Sequence, residues 1–140
     1  NEWLKVEPLE MPEDLCVIGF RGGEFKVFPD LFLPRDYWEE GIERMKKMNP
    51  KMRFEVHTDD EETAKQFFPD YKVIHDIGIN WRSCRYARYA IIANSSFFIL
   101  PRWLRQGEGN AITISPRFWA RYNTKVWALP QNYYKRFLYL

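Results

Sequence analysis

The sequence lacks the features that mark membrane-spanning, disulfide-rich or disordered proteins. It has no run of about 18 apolar residues, no basic start followed by an apolar stretch, and no low-complexity tract. Its two cysteines, Cys16 and Cys84, are too few for a disulfide framework and have no CxxC spacing for zinc. We therefore expect a soluble, cytoplasmic protein with two buried free thiols and no transmembrane segment.

Several common catalytic signatures are also absent. No GxSxG, Walker or GxGxxG motif occurs, so serine hydrolases, P-loop enzymes and ordinary dinucleotide enzymes lose their usual support. The two histidines, His57 and His75, have no metal-ligand spacing with another His, Cys or carboxylate, and we interpret them as polar residues at strand ends. The sequence predicts no metal site and no cofactor.

The size and composition are those of one domain spanning residues 1–140. With 46% hydrophobic and 18% aromatic residues, the chain is long enough to bury one core. Charge is distributed unevenly: residues 101–140 contain seven Lys or Arg against the single Glu108, interleaved with nine aromatics. A basic aromatic segment at about 116–140 suits a phosphate-bearing ligand, an anionic surface or stacking on a base.

Apolar patterning predicts strands that alternate with helices. Strands are expected at 15–20, 52–57, 71–74, 89–93 and 111–114, and helices at 36–48, 64–68 and 81–88 and around Trp103-Leu104. Asp36 with Glu39, and Asp59 with Glu62, have capping-box spacing at two helix starts, and the final aromatic stretch is expected to wrap over the sheet. This order predicts an α/β, Rossmann-like domain with a mainly parallel sheet and helices on both faces.

Ligands of such sheets bind beyond the carboxyl ends of the strands, so the loops there are the candidate sites. The first is Gly19-Phe20-Arg21-Gly22-Gly23-Glu24, in which a permanently charged guanidinium precedes two glycines that allow backbone amides to approach an anion. The alternative is a Gly22-Gly23 turn that leads into a strand at 24–28.

The second candidate loop is Thr58-Asp59-Asp60, directly after the strand at 52–57. Its adjacent carboxylates could bind a ribose diol or a metal ion. The alternative is that Asp59 only caps the next helix.

The third candidate loop is Asn94-Ser95-Ser96-Phe97, at the end of the strand at 89–93. Its hydroxyls and amides could bind phosphate oxygens, or could only cap the next helix. Asn94-Ser95-Ser96 also fits a glycosylation sequon, which a position at the mouth of a buried strand disfavours. A helix that starts at Ser96 is not expected to continue, because Pro101 disfavours helical geometry at Leu100.

Together the three loops resemble the sequence blocks of α-1,2-fucosyltransferase-like glycosyltransferases, which have a two-domain GT-B architecture. The family has His-x-Arg-Arg-Gly-Asp at the first loop, Ser-Asp-Asp at the second, and Ile-Ile-Ala-Asn-Ser-Ser/Thr-Phe at the third. The third block matches Ile91-Ile92-Ala93-Asn94-Ser95-Ser96-Phe97, and a closing Trp-Leu matches Trp103-Leu104. The resemblance covers about Leu15 to Leu104.

The resemblance implies that Arg21 and Ser95 face the diphosphate of a nucleotide-sugar, most readily GDP-linked, without a metal ion. The chain departs from the family pattern at Gly19 and Gly22, which replace a His and an Arg. Asn80 falls near the place where related enzymes have an Asp that accepts from guanine, and an amide has a single acceptor oxygen. The implied site therefore comprises Arg21, Gly22, Gly23, Glu24, Thr58, Asp59, Asp60, Asn80, Asn94, Ser95, Ser96 and Phe97.

The function that the sequence predicts is that of a glycosyltransferase donor-binding domain, which transfers fucose or a related sugar from a GDP-linked donor to a glycan hydroxyl. No residue is a convincing catalytic base, and the acceptor side is expected from a separate N-terminal domain. Two alternatives remain: a non-catalytic Rossmann-like nucleotide-binding domain, and a basic-aromatic interaction module acting through residues 101–140 on nucleic acid or anionic glycan. Under the favoured interpretation nucleic acid is not a partner.

Overall fold

The computed structural model describes residues 6–105, 109–120 and 134–140. These residues form strands β1 (Leu15–Phe20), β2 (Arg53–Thr58), β3 (Lys72–Ile74), β4 (Tyr89–Ile92), β5 (Ile112–Ser115) and β6 (Phe137–Tyr139). The helices that connect them are α1 (Arg35–Met48), α2 (Glu61–Phe67), α3 (Ile77–Tyr86) and α4 (Ser96–Arg105), and a short 3-10 helix covers Gly23–Val27.

The strands form one sheet in the order β3-β2-β1-β4-β5-β6, and every neighbouring pair is parallel. The chain builds outward from β1 to β3 and then returns to place β4 on the other side of β1. This is the strand order of Rossmann folds, in which ligands bind where the order reverses. The predicted Rossmann-like α/β fold is confirmed, and the reversal lies between β1 and β4.

The sheet has one strand more than the sequence predicts. The final segment was expected to wrap over the sheet, but Phe137–Tyr139 pairs with β5 as an edge strand. Three residues are too few to show the two-residue alternation by which a strand is recognised in a sequence. Residues 121–133, the middle of the predicted basic aromatic segment, lie outside the described residues.

The central strand β1 is buried along its whole length, because helices cover both of its faces. Helix α1 packs on this core through Trp38 and Met45, which are fully buried. Gly41 lets α1 approach β4 closely, since an added Cβ would lie 3.0 Å from Ile91 Cγ2. The hydroxyl of Tyr37 donates to the carbonyl of Ile92 at 2.7 Å, which fixes α1 against the end of β4.

Helix α4 continues through Pro101, so the expectation that it would break near Leu100 is wrong. The residue that follows the proline explains why. Arg102 is fully buried, and its guanidinium donates to Thr113 Oγ1 and to the carbonyls of Cys84, Ala87, Arg88 and Ile112. These bonds hold α4 against the end of α3 and the start of β5. They outweigh the local effect of Pro101, which disfavours helical geometry at Leu100.

Helix starts differ from the predicted capping boxes. Helix α1 begins after Pro34, which makes no side-chain cap, and Asp36 lies inside its first turn. In α2 the capping residue is Asp60, whose Oδ1 accepts from the amide of Thr63 at 3.2 Å, so the assignment of the cap to Asp59 is wrong by one residue. The carboxylate of Asp59 is therefore available for other contacts.

Both cysteines are buried and free, as predicted. Cys16 lies in β1 and Cys84 in α3. Burial raises the pKa of Cys84 to about 12 and also raises the pKa of Cys16. Neither thiol is therefore an activated nucleophile.

Candidate functional site

The loops after β1 and β2 meet through an ion pair. Arg21 Nη1 lies 2.9 Å from Asp59 Oδ2, and Arg21 Nη2 lies 3.6 Å from Oε1 of the exposed Glu24. The guanidinium also lies over the ring of Phe25, 5.3 Å from its centroid. Arg21 Nε is buried and has no hydrogen-bond acceptor among the described residues. The fold thus brings the first two predicted blocks together and leaves one guanidinium donor unused there.

The two glycines after Arg21 allow this loop to pack against the turn after β2. The amide of Gly22 donates to Asp59 Oδ1 at 3.0 Å. A Cβ added to Gly22 would lie 2.7 Å from Asp60 Cβ, and one added to Gly23 would lie 2.3 Å from Asp59 Oδ2. Gly23 also has a φ of +32°, which favours glycine. The hairpin interpretation is wrong, since the residues after Gly22 form a 3-10 helix instead of a strand.

In the turn after β2, the adjacent carboxylates of Asp59 and Asp60 make different contacts. Thr58 Oγ1 accepts from the amide of Asp60 at 2.9 Å. Asp60 caps α2 and pairs with Lys26 Nζ at 2.8 Å. Burial opposes ionisation of Asp60, but hydrogen bonds from Lys26 and Thr63 prevail and hold its pKa below the ordinary value. Asp60 is therefore used in holding the loop, whereas Asp59 faces the guanidinium of Arg21.

Asn94, the first residue of the third predicted block that follows β4, anchors the turn internally. Its side chain is buried, and Nδ2 donates to the carbonyls of Leu31 and Trp119. Oδ1 is also buried and has no hydrogen-bond partner among the described residues. An amide enclosed in this way is not exposed for glycosylation, in agreement with the interpretation of the sequon.

The turn continues into the start of α4. Ser95 is buried, and its carbonyl accepts from the amides of Phe98 at 3.0 Å and Ile99 at 2.9 Å. Ser96 is exposed at the first position of the helix, followed by the half-buried Phe97. The first amides of an α-helix have no acceptor within the helix, so those of Ser96 and Phe97 suit an anion beyond the end of β4.

A buried polar network lies beneath the candidate site and was not predicted. His57 Nδ1 lies 3.0 Å from Asn80 Oδ1, and His57 Nε2 lies 2.9 Å from Glu55 Oε1. Asn80 Nδ2 donates to the carbonyl of Thr58 at 2.9 Å. The hydrogen bond from His57 lowers the pKa of Glu55 against the opposing effect of burial. His57 lies next to the last residue of β2, as predicted for a strand-end residue, but its ring is fully enclosed.

Part of this network has a signal in the sequence. Glu55 and His57 are two residues apart in a strand, so their side chains project from the same face. Asn80 belongs to α3, which is capped by Asp76 and starts at Ile77, four residues before the predicted start at position 81. With that start, Asn80 falls in the first turn of α3, near the end of β2.

Several predicted site residues line one small cavity of about 80 Å³. Its walls are Arg21, Thr58, Asp59, His75, Ile77, Asn80, Phe97 and Phe98. This volume suits a single phosphate group more than a whole nucleotide, because pockets for complete small ligands measure about 300–1,000 Å³. The lining does not include the other predicted site residues that the structure describes, which are Gly22, Gly23, Glu24, Asp60, Asn94, Ser95 and Ser96.

A wider, aromatic groove of about 520 Å³ adjoins this cavity through Phe97. It is lined by Trp81, Ser96, Phe97, Ile99, Leu100, Trp103, Trp119 and Tyr134. Ser96, at the start of α4, is thus placed on the groove, whereas Arg21 and Asp59 are on the cavity. The two spaces share one aromatic wall.

Gly19 stands where the resembled family has a histidine, and the fold leaves no room for a side chain there. A Cβ added to Gly19 would lie 2.7 Å from the ring of Phe98. The ring of Phe98 therefore occupies the space into which a residue at position 19 would project.

Two further properties concern the described part of the chain. No group of three or more His, Cys, Asp or Glu side chains in residues 6–105, 109–120 and 134–140 is placed to hold a metal ion. Within the same ranges, every helix is too short or too polar to cross a bilayer. In comparisons with known proteins, the sequence matches no protein-family model and no curated protein at a significant level.

Proposed function

We propose that this domain binds the diphosphate of a nucleotide-sugar beside β1 and β4 and serves as the donor-binding part of a glycosyltransferase. One observation supports it most strongly: the guanidinium of Arg21 and the amide of Gly22 both hold one carboxylate, that of Asp59. A guanidinium and a backbone amide that converge on two oxygens are arranged to bind an oxyanion. Arg21 and Gly22 follow β1, one of the two strands between which the order reverses, where Rossmann folds bind their ligands.

The chemistry of sugar transfer fits donors of this kind. When a glycosyl group leaves its nucleotide, negative charge develops on the departing diphosphate, and positioned donors lower the barrier by stabilising it. Arg21 supplies a permanent positive charge, and the exposed Ser96 at the start of α4 supplies a hydroxyl and helix-start amides. No metal ion is part of the proposal.

The acceptor side of the reaction is assigned to another part of the protein. A glycan hydroxyl needs a general base, and the sequence offers no convincing one. We therefore assign the acceptor and the base to a second domain, as in GT-B enzymes. GDP as the nucleotide is part of the same proposal, which the resemblance of Ile91-Ile92-Ala93-Asn94-Ser95-Ser96-Phe97 supports. A cytoplasmic location is proposed with it.

Binding without turnover is the second candidate function. It is favoured by Gly19, whose place beside the ring of Phe98 excludes the histidine of the resembled family. A domain of that kind would take up nucleotide but would not transfer sugar even when joined to its acceptor domain. The two candidates thus differ only in catalysis.

A thermal-shift panel tests the proposal. Wild-type protein is melted with GDP, UDP, ADP, GDP-linked sugars and single-stranded DNA, each at two salt concentrations. Stabilisation by a nucleoside diphosphate is expected, whereas salt-sensitive stabilisation by DNA alone would replace the proposal with the interaction-module alternative. We expect no sugar transfer by the 140-residue chain with an added acceptor, because both halves of the cleft are needed to place the reactants. Turnover above background would contradict the need for a second domain.

A further inference from the structure

The carboxylate of Asp59 makes the contacts that a phosphate group would make. Asp59 Oδ2 lies 2.9 Å from Arg21 Nη1, and Asp59 Oδ1 accepts from the amide of Gly22 at 3.0 Å. Oδ2 also lies against the backbone of Gly23, where an added Cβ would be only 2.3 Å away. The two oxygens thus bridge a guanidinium and a backbone amide, an arrangement in which one anion receives two different donors.

This carboxylate is not required by the neighbouring helix. Asp60, rather than Asp59, caps α2 and pairs with Lys26. In the part of the chain that the structure describes, the hydrogen bonds and ion pairs of the Asp59 side chain are with Arg21 and Gly22. Its contacts can therefore be exchanged without loss of a helix cap.

We infer that Asp59 is an internal competitor for the anion site, so that a ligand binds Arg21 and Gly22 by displacing its carboxylate. The inference rests on the proposed function and adds to it a selection rule. A ligand must replace the contacts of Asp59 with both Arg21 and Gly22. A diphosphate is therefore favoured over a monoanion, because it has several oxygens and more than one negative charge. The site thus takes diphosphate esters and rejects simple carboxylates.

The loop stays in place when Asp59 moves away. Lys26 Nζ contacts Asp60 Oδ2 at 2.8 Å and Thr63 Oγ1 at 3.3 Å, and the amide of Lys26 donates to the carbonyl of Gly22 at 3.2 Å. These bonds hold the 3-10 helix on the start of α2 independently of Asp59. The exchange therefore requires only rotation of one side chain and leaves the donors of Arg21 and Gly22 positioned for the ligand.

Asp59→Asn tests the inference, with inorganic pyrophosphate and acetate as probes in calorimetric titrations. The amide has nearly the same shape but no charge, so we expect pyrophosphate to bind about tenfold more tightly to the variant than to wild type. Asp14→Asn is the matched control, because it removes one charge from a carboxylate that pairs with Arg53 at the amino-terminal ends of β1 and β2, away from the site at their carboxyl ends. It should bind pyrophosphate as wild type does, within about twofold.

Equal or weaker pyrophosphate binding by Asp59→Asn, relative to Asp14→Asn, would overturn the competitor role. Equal gains for acetate and pyrophosphate would overturn the selection rule. If Asp59→Asn melts below the measuring temperature, the amide resonance of Gly22 in wild-type protein replaces it as the readout. Pyrophosphate should shift that resonance, and a resonance that stays in place up to millimolar probe would refute the exchange.

The same titrations separate this inference from the proposed function. If Asp59→Asn gains affinity for pyrophosphate while neither protein prefers GDP or UDP to pyrophosphate, the competitor role holds and nucleotide binding fails. If wild type binds GDP and Asp59→Asn binds it less tightly, nucleotide binding holds. Asp59 is then a ligand-binding residue, and the competitor role fails.

Discussion

His57 and Asn80 lie 3.0 Å apart, from ring Nδ1 to amide Oδ1, in a buried contact between the end of β2 and the first turn of α3. The other end of the same amide donates to the carbonyl of Thr58. Both polar atoms of Asn80 are therefore used within the protein, although the side chain also forms part of the cavity wall beside Arg21. To contact the base of a bound nucleotide, the Asn80 side chain would have to give up one of these hydrogen bonds.

Asn80→Asp separates the two roles of this residue. The change places a carboxylate oxygen against the Thr58 carbonyl in place of a donor, so we expect a loss of about 1–3 kcal/mol in the free energy of unfolding. Chemical denaturation measures that loss. The sequence-based prediction is that the variant binds GDP more tightly relative to UDP, which calorimetry on the folded variant tests. An unchanged ratio of the GDP and UDP affinities would show that Asn80 does not contact the nucleotide base.

The depressed pKa of Glu55 predicts acid sensitivity. His57 donates to this carboxylate, which holds its pKa below the ordinary value of 4.5. A lowered carboxyl pKa stabilises the fold above the unfolded-state pKa, and that stabilisation is lost as the pH falls through the folded-state pKa. In urea denaturation between about pH 3 and 6, the free energy of unfolding should therefore decrease as the pH is lowered. The decrease should be less steep in Glu55→Gln. The same slope in both proteins would rule out this source of acid sensitivity.

Arg102 is predicted to be among the residues most costly to replace. Removing its guanidinium leaves buried carbonyls of α3 and β5 without donors, so Arg102→Met should lower the free energy of unfolding by on the order of 3–5 kcal/mol. The control is Arg44→Met, which removes an exposed ion pair to Glu40 and should change it by no more than about 0.5 kcal/mol. Similar denaturation midpoints for the two variants would show that the buried bonds contribute little.

Gly19 is predicted to tolerate no side chain while Phe98 keeps its place. Gly19→Ala puts a methyl group 2.7 Å from that ring, so we expect a loss of about 1–3 kcal/mol from overpacking. Phe98→Leu in the same chain should recover part of it. Gly78→Ala is the control, since its Cβ would make only an ordinary contact at 3.5 Å with Asp76. Full stability of Gly19→Ala in thermal melts would mean that the space is larger than the structure indicates.

The backbone framework could be predicted from the sequence, but most of the side-chain contacts could not. Strand β1 matches its predicted bounds and β2 is displaced by one residue, because short apolar runs bounded by turn residues are direct signals. The shift of the α2 cap from Asp59 to Asp60 depends on the backbone angles of one residue, which spacing does not report. The bonds of Arg102 join α3, α4 and β5, so they exist only once the tertiary fold has formed.

Calorimetric titration of GDP and UDP into wild type, Arg21→Ala and Arg21→Lys is the most direct test of the central claim, that Arg21 binds a nucleotide diphosphate. A charge-assisted hydrogen bond of this kind accounts for about a ten- to hundredfold change in the dissociation constant. We expect a loss of that size in Arg21→Ala and partial recovery in Arg21→Lys, since an ammonium cannot present two parallel donors. Melting temperatures verify that all three proteins are folded. Equal affinities in the three folded proteins would contradict the claim.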